Sequence, residues 1–206
     1  MDEFFKNKYR VASTRLPAWD YSRPGYYFIT ICVQDRGCYF GEIKNGIIGL
    51  SAEGLIAYKF WVEIAEHFKN VNLDEFIVMP NHIHGILQIF YNFDDKDFDF
   101  KIGDMYRRDA PWRVSTTSFA DIDNPKNWTK NKFGPLKSKS LSSIVNAYKS
   151  SVKRYCKHNG LSNFKWQERF YDRIIRNEEE LIRIRKYIHE NPRNWTSDRN
   201  NPNNLN

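Results

Sequence analysis

The run from Phe76 to Phe90, FIVMPNHIHGILQIF, constrains this chain more than any other stretch. Phe76 to Met79 is a short apolar run of the kind that fills a buried strand. Pro80-Asn81 breaks it, because proline has no amide hydrogen for a ladder and Pro-Asn favours a turn. His82 to Phe90 resumes as a second strand. Successive side chains of a strand point to opposite faces. Ile83, Leu87 and Ile89, with Gly85 among them, therefore form one apolar face suited to packing under helices. His82 and His84 share the other face.

The remaining segments supply partners for these strands. Tyr26 to Val33 (YYFITICV) is aromatic and β-branched, which predicts a strand. Cys38 to Leu50 carries Lys44-Asn45-Gly46 between two apolar stretches, a hairpin signal. From Ser51 to Asn70, Leu55, Tyr58, Val62 and Ala65 fall at helical spacing, with Ser51 as a candidate cap. A second helical stretch runs from Leu141 through Ile144, Val145, Tyr148 and Val152 to a stop at Gly160. Phe164 to Ile175 predicts extended chain. A last helix starts at Asn177, with Glu180 three residues on, carries Leu181, Ile184 and Ile188 on one face, and ends at Pro192.

This order predicts an α+β fold: a ferredoxin-like antiparallel sheet with helices on one face, followed by a C-terminal helix. At 206 residues the whole chain, 1–206, reads as a single domain. Residues 91–135, rich in Asp, Asn, Ser and Lys, read as a long flexible insertion. The Asn-rich tail from about 195 is expected to fray.

Charge narrows the partner. The net charge is +7 and the pI about 9.2, which points to a polyanion, nucleic acid before anionic membrane. No apolar run approaches the roughly 18–20 residues of a membrane span. The opening MDEFFKNKYR has no apolar core of a signal peptide, and the three cysteines form no C-x-x-C pair. A cytoplasmic protein is the expectation. Residues 136–186 alone carry a net +8, interleaved with Tyr148, Tyr155, Trp166, Phe170 and Tyr171. Cations grip phosphates and aromatic rings stack on unpaired bases, so Lys149, Lys153, Arg154, Arg169, Arg173 and Arg176 are candidate nucleic-acid contacts. A solvated basic face over an aromatic core has the same composition.

Two places could carry chemistry. Neutral imidazoles one strand period apart, as at His82 and His84, can hold one divalent cation. They can equally be half-buried histidines with ordinary hydrogen bonds. In the last helix, Tyr187 and Asn191 are four residues apart and so one turn from each other on the same side. Tyr187 lies at the edge of the apolar stripe, where an amphipathic core residue would also lie. The acids Glu178, Glu179 and Glu180 complement the helix dipole at its N-terminus.

Four stretches taken together resemble the REP-associated tyrosine transposases of the HUH superfamily of single-strand DNA nucleases. They are DYSRPGYYFIT from Asp20, FIVMPNHIHG from Phe76, WQERFYDRIIRN from Trp166 and YIHENP from Tyr187. The resemblance implies that His82 and His84 bind a divalent metal, Mg or Mn, and that Tyr187 is the catalytic nucleophile. It places Asn191 where relatives carry a third polar metal ligand, often Gln. It further implies cleavage and rejoining of single-stranded DNA at hairpin-forming repeats through a 5′-phosphotyrosine. Such a linkage retains the phosphodiester energy, which agrees with the lack of a Walker-type motif. Two other readings stand beside it: a non-catalytic hairpin DNA or RNA binding module, and a metal phosphohydrolase that uses water.

Overall fold

A computed structural model describes residues 19–90, 139–161 and 164–204. The insertion expected at 91–135 lies outside the described residues.

Strand β1, Gly25–Cys32, is central. It pairs antiparallel with β5, His82–Ile89, so that Thr30 faces His84 and Cys32 faces His82. On its other side it pairs antiparallel with β6, Tyr171–Ile175. Strand β4, Val71–Val78, lies outside β5, which gives the order β4-β5-β1-β6. Helix α1, Ala52–Val62, falls between β1 and β4 in the chain. Helix α3, Leu141–His158, falls between β5 and β6. This is the ferredoxin-like βαββαβ order of an α+β fold. A separate ribbon of β2, Gly41–Lys44, and β3, Ile47–Leu50, is spliced in before α1. Asn45 and Gly46 at its turn both have positive φ, 52° and 74°, the backbone that a two-residue hairpin loop with right-handed strand twist requires.

Alternation along the strands divides the core in two. Tyr27, Ile29, Ile31, Ile83 and Leu87 pack against α1 and α3 through Ala57, Trp61, Ile144, Tyr148 and Val152. The opposite face carries Phe28 and Ile86, joined by Ile175. Helix α4, Glu178–Glu190, covers that second face with Leu181, Ile184 and Ile188. It starts as the sequence predicts: Asn177 accepts a hydrogen bond from the Glu180 amide at 2.8 Å, and Glu180 accepts from the Arg176 amide at 2.9 Å.

Gly85 marks where α1 meets the sheet. A Cβ there would lie 2.2 Å from Cζ2 of the fully buried Trp61. Gly85→Ala is expected to cost about 1–3 kcal/mol through overpacking, read from urea denaturation.

Three expectations are refined. The helix expected over 51–70 is α1 followed by a short α2, Ile64–His67, with the break at Glu63. Of the extended stretch 164–175, only Tyr171–Ile175 joins the sheet, and Trp166 makes one isolated bridge to Val33. The tail from 195 does not fray over its described length. Trp195–Ser197 and Pro202–Asn204 are 3-10 turns, and Asn201 is buried. The asparagines that suggest a frayed tail are what hold it, because their amides satisfy its carbonyls: Asn201 Nδ2 donates to Trp195 O and Asn204 Nδ2 to Thr196 O.

Candidate active site

His82 and His84 lie on the sheet face that α4 covers, beside Phe28 and Thr30 of β1. Both imidazoles are buried, at 0% and 2% exposure. Their Nε2 atoms are 3.1 Å apart. Each Nδ1 has a partner of its own. His84 Nδ1 is 2.8 Å from Thr30 Oγ1 and His82 Nδ1 is 2.9 Å from Asn81 Oδ1. These contacts set ring orientation and leave both Nε2 atoms directed at one point, as partners behind metal ligands do.

Helix α4 brings Tyr187 to the same point. Its phenol oxygen is 3.3 Å from His84 Nε2. Its ring meets His84 at 5.2 Å and the edge of Phe28 at 6.0 Å, yet the residue is 48% exposed. The side chain is thus fixed at one end and open to a substrate at the other. Two residues earlier, Arg185 grips Asp74 of β4 through two hydrogen bonds, Nε to Oδ1 at 2.8 Å and Nη2 to Oδ2 at 2.5 Å. Asp74 lies at a register shift between Leu73 and Phe76, where a bulge re-aims the edge strand. The fork ties α4 to the sheet close to the phenol.

Asn191 ends α4, buried at 2% exposure. Its Oδ1 has no hydrogen-bond partner among the described residues. A buried amide oxygen left so is costly unless something else satisfies it. Asp198, in the turn after α4, brings its Oδ2 to 3.9 Å from His82 Nε2. Ligand atoms of His82, His84 and Asp198 all lie within 4.8 Å of one another. The sequence reading missed Asp198, since an aspartate in an Asn-rich tail carries no spacing signal. Buried neutral imidazoles, a buried amide oxygen without a partner and a nearby carboxylate form a donor set that fits a hard or borderline divalent cation.

Electrostatics agree with neutral imidazoles. Burial pushes the His82 pKa down to about 4, with Asp198 opposing and Arg199 assisting. Burial, the His82 charge and Arg199 hold His84 well below the usual range. Burial raises the Tyr187 phenol, while a hydrogen bond with Asn191 lowers it.

The six cations expected at nucleic acid do not form one cluster. Helix α3, which carries Lys149, Lys153 and Arg154, packs on the sheet face away from the histidines. Lys149 is nearly buried and donates to the carbonyls of Gln167 and Glu168 at 2.6 and 3.3 Å. Lys153 donates to Phe164 O at 2.9 Å. These two ammonium groups hold the 164–168 connection. Arg154, Arg169 and Arg176 are exposed. Arg173 is half exposed and paired with Glu180 at 2.6 Å.

The Thr30 contact yields a test. A hydroxyl can donate to a bare Nδ1 or accept from Nδ1–H, so it can serve either tautomer of His84. Thr30→Val keeps the shape and removes that partner. It is expected to weaken divalent-cation binding about 10–100-fold, measured by Mn2+ titration calorimetry, with about 1 kcal/mol lost in stability.

No protein-family model matches the sequence. An uncharacterized protein of Haemophilus influenzae (strain ATCC 51907 / DSM 11121 / KW20 / Rd) is 32% identical over 186 residues, 90% of each chain. Two solved structures are similar. A REP-associated tyrosine transposase bound to a REP hairpin has a TM-score of 0.49 at 16% identity, over 86% of this chain and 72% of that one. A putative transposase from Deinococcus radiodurans has a TM-score of 0.37 at 12% identity, over 85% and 95%. At these values neither bears on chemistry, which has to come from the side chains. Among the described residues, no helix is long and apolar enough to cross a membrane.

Proposed function

We propose that this chain, which belongs to the same family as the Haemophilus influenzae protein, is a DNA transposase that cleaves and rejoins single-stranded DNA at hairpin-forming repeats. The observation that carries the reading is the meeting of a phenol with two buried imidazoles: Tyr187 Oη lies 3.3 Å from His84 Nε2, and that atom 3.1 Å from His82 Nε2. Phosphoryl transfer needs a nucleophile and stabilisation of developing negative charge at one place. Tyr187 would supply the first, and a cation held by the imidazoles the second.

His82 and His84, with Asn191 Oδ1 as a third donor, would hold one divalent cation, Mg or Mn. Bound there, it would polarise a scissile phosphate and favour the phenolate of Tyr187. The rest falls to the chain's own groups. Tyr187 gives its proton to solvent on its exposed side and its oxygen attacks phosphorus in line. The Oη–P bond forms, the P–O3′ bond breaks, and the 3′-oxygen leaves as a hydroxyl after taking a proton from solvent. The product is a 5′-phosphotyrosine and a free 3′-OH. Attack by a 3′-OH on that ester reverses the step and reseals the strand without a nucleotide cofactor. The Asp74–Arg185 fork holds the phenol in reach throughout, and half the ring stays open for DNA to approach.

Arg154, Arg169, Arg173 and Arg176 supply guanidinium groups for the phosphates of single-stranded or hairpin DNA, while Lys149 and Lys153 hold the 164–168 connection. The whole chain, 1–206, works as one domain in the cytoplasm. The test is direct. Incubating the protein with an end-labelled single-stranded hairpin and Mn2+ should give a protein–DNA adduct that survives denaturing electrophoresis. Retained hairpin binding with no adduct in Mg2+ or Mn2+ would instead make the chain a binding module.

A further inference from the structure

The tail after α4 returns to the histidines. The Trp195 ring lies 6.1 Å from that of His82, and the chain then winds around Asp198. The Asp198 carbonyl accepts from the Asn201 amide at 3.0 Å and from Asn204 Nδ2 at 2.9 Å. Its carboxylate is divided between two tasks. Oδ1 accepts from the Asn200 amide at 2.6 Å. Oδ2 points to His82 Nε2 at 3.9 Å, from a side chain only 8% exposed.

Asn81 decides what that oxygen meets. Its Nδ2 donates to two carbonyls, Arg36 O at 2.8 Å and Asn200 O at 2.7 Å. Its Oδ1 is therefore the atom that faces His82 Nδ1, so the ring donates there. His82 Nε2 is left with a lone pair. A carboxylate oxygen is thus held towards a bare ring nitrogen with no proton between them. Without an ion, a proton on His84 Nε2, 3.1 Å away, can serve that lone pair; the carboxylate has no such partner there, and a cation would serve the two ring nitrogens and the carboxylate together. The same asparagine that orients the ring also pins the tail that carries the carboxylate.

We propose that Asp198 is a metal ligand, delivered by the C-terminal segment to the cation held by His82 and His84; this rests on the metal-dependent reading above. Atoms bound to one cation at about 2.1 Å lie roughly 3.0 Å apart when adjacent and roughly 4.2 Å apart when opposite. The separations of 3.1 Å between the two Nε2 atoms and 3.9 Å from Nε2 to Oδ2 lie within that range. The carboxylate also supplies what two imidazoles and an amide lack, a negative charge beside a divalent ion. A carboxylate oxygen inclines the site towards Mg or Mn.

The experiment is Mn2+ binding to the full chain by titration calorimetry, comparing wild type, Asp198→Asn and the double variant His82→Ala/His84→Ala. Asparagine at 198 keeps an oxygen for the Asn200 amide, so the turn persists; thermal melting without metal checks this. Asp198→Asn is expected to raise the Mn2+ dissociation constant about 10–100-fold, by analogy with other losses around metal sites, at an unchanged metal-free melting temperature. An unchanged constant overturns the assignment. If the histidine double variant then still abolishes binding, the metal site stands and only Asp198 leaves it. A wild type that binds no Mn2+ removes both.

Discussion

Tyr187→Phe should abolish the covalent protein–DNA adduct and lower single-strand cleavage at least about a thousandfold, while hairpin binding stays within about twofold. Water attacking in place of the phenol would give a free 5′-phosphate and no adduct. The ring itself should remain in place, since its contacts with Phe28 and His84 are made by ring faces and edges. Removing the phenol oxygen loses its contacts with His84 Nε2 and the Asn191 side chain, at a cost of about 0.5–1.5 kcal/mol each. A melting temperature near that of wild type would therefore accompany a dead enzyme. The measurement is a denaturing gel of labelled hairpin incubated with protein and Mn2+, alongside a native gel for binding. Cleavage that survives the substitution would exclude tyrosine as nucleophile and favour attack by water. A phenylalanine variant that still forms an adduct would direct the search to another side chain.

The sequence shows much of this arrangement because the arrangement is built from periodicity. Alternation along His82–Ile89 puts the imidazoles opposite Ile83 and Leu87, and the structure has those residues on opposite faces. The stripe Leu181, Ile184 and Ile188 orients α4, and Tyr187 at its edge reaches the sheet without being swallowed by the core. Asn177 with Glu180 marks the start of α4 to the residue. What stays hidden is set by contacts that have no period. Asp198 is held near His82 by scattered contacts, among them Asn81, well over a hundred residues earlier, on the carbonyl of Asn200. The charge count over 136–186 treats every cation alike, yet Lys149 is taken up by two carbonyls and Arg154 is exposed. Composition records how many charges there are and is silent on which have partners.

Acid should unfold this protein earlier than its composition suggests, and the two histidines should account for the excess. In the fold, burial holds His82 down at about 4 and His84 well below its ordinary value, against about 6.5 in an open chain. Between those values the unfolded chain binds protons that the folded one refuses. Stability therefore rises with pH across the window: it is fully present above about 6.5 and is lost as pH falls towards 4. Melting temperatures measured from pH 7.5 to pH 4.5 should show this fall, and the variant His82→Asn/His84→Asn should flatten it. A parallel slope in wild type and variant would mean that other groups set the acid limit. Mn2+ should displace the wild-type curve upward at neutral pH, since a ligand that binds only the folded state stabilises it by mass action. The gain should persist to about pH 5 and fall only towards pH 4, where protons compete for the same ring nitrogens. An Mn2+ effect already lost at pH 6 would mean that the ring nitrogens titrate near the ordinary imidazole value and are not held down by burial.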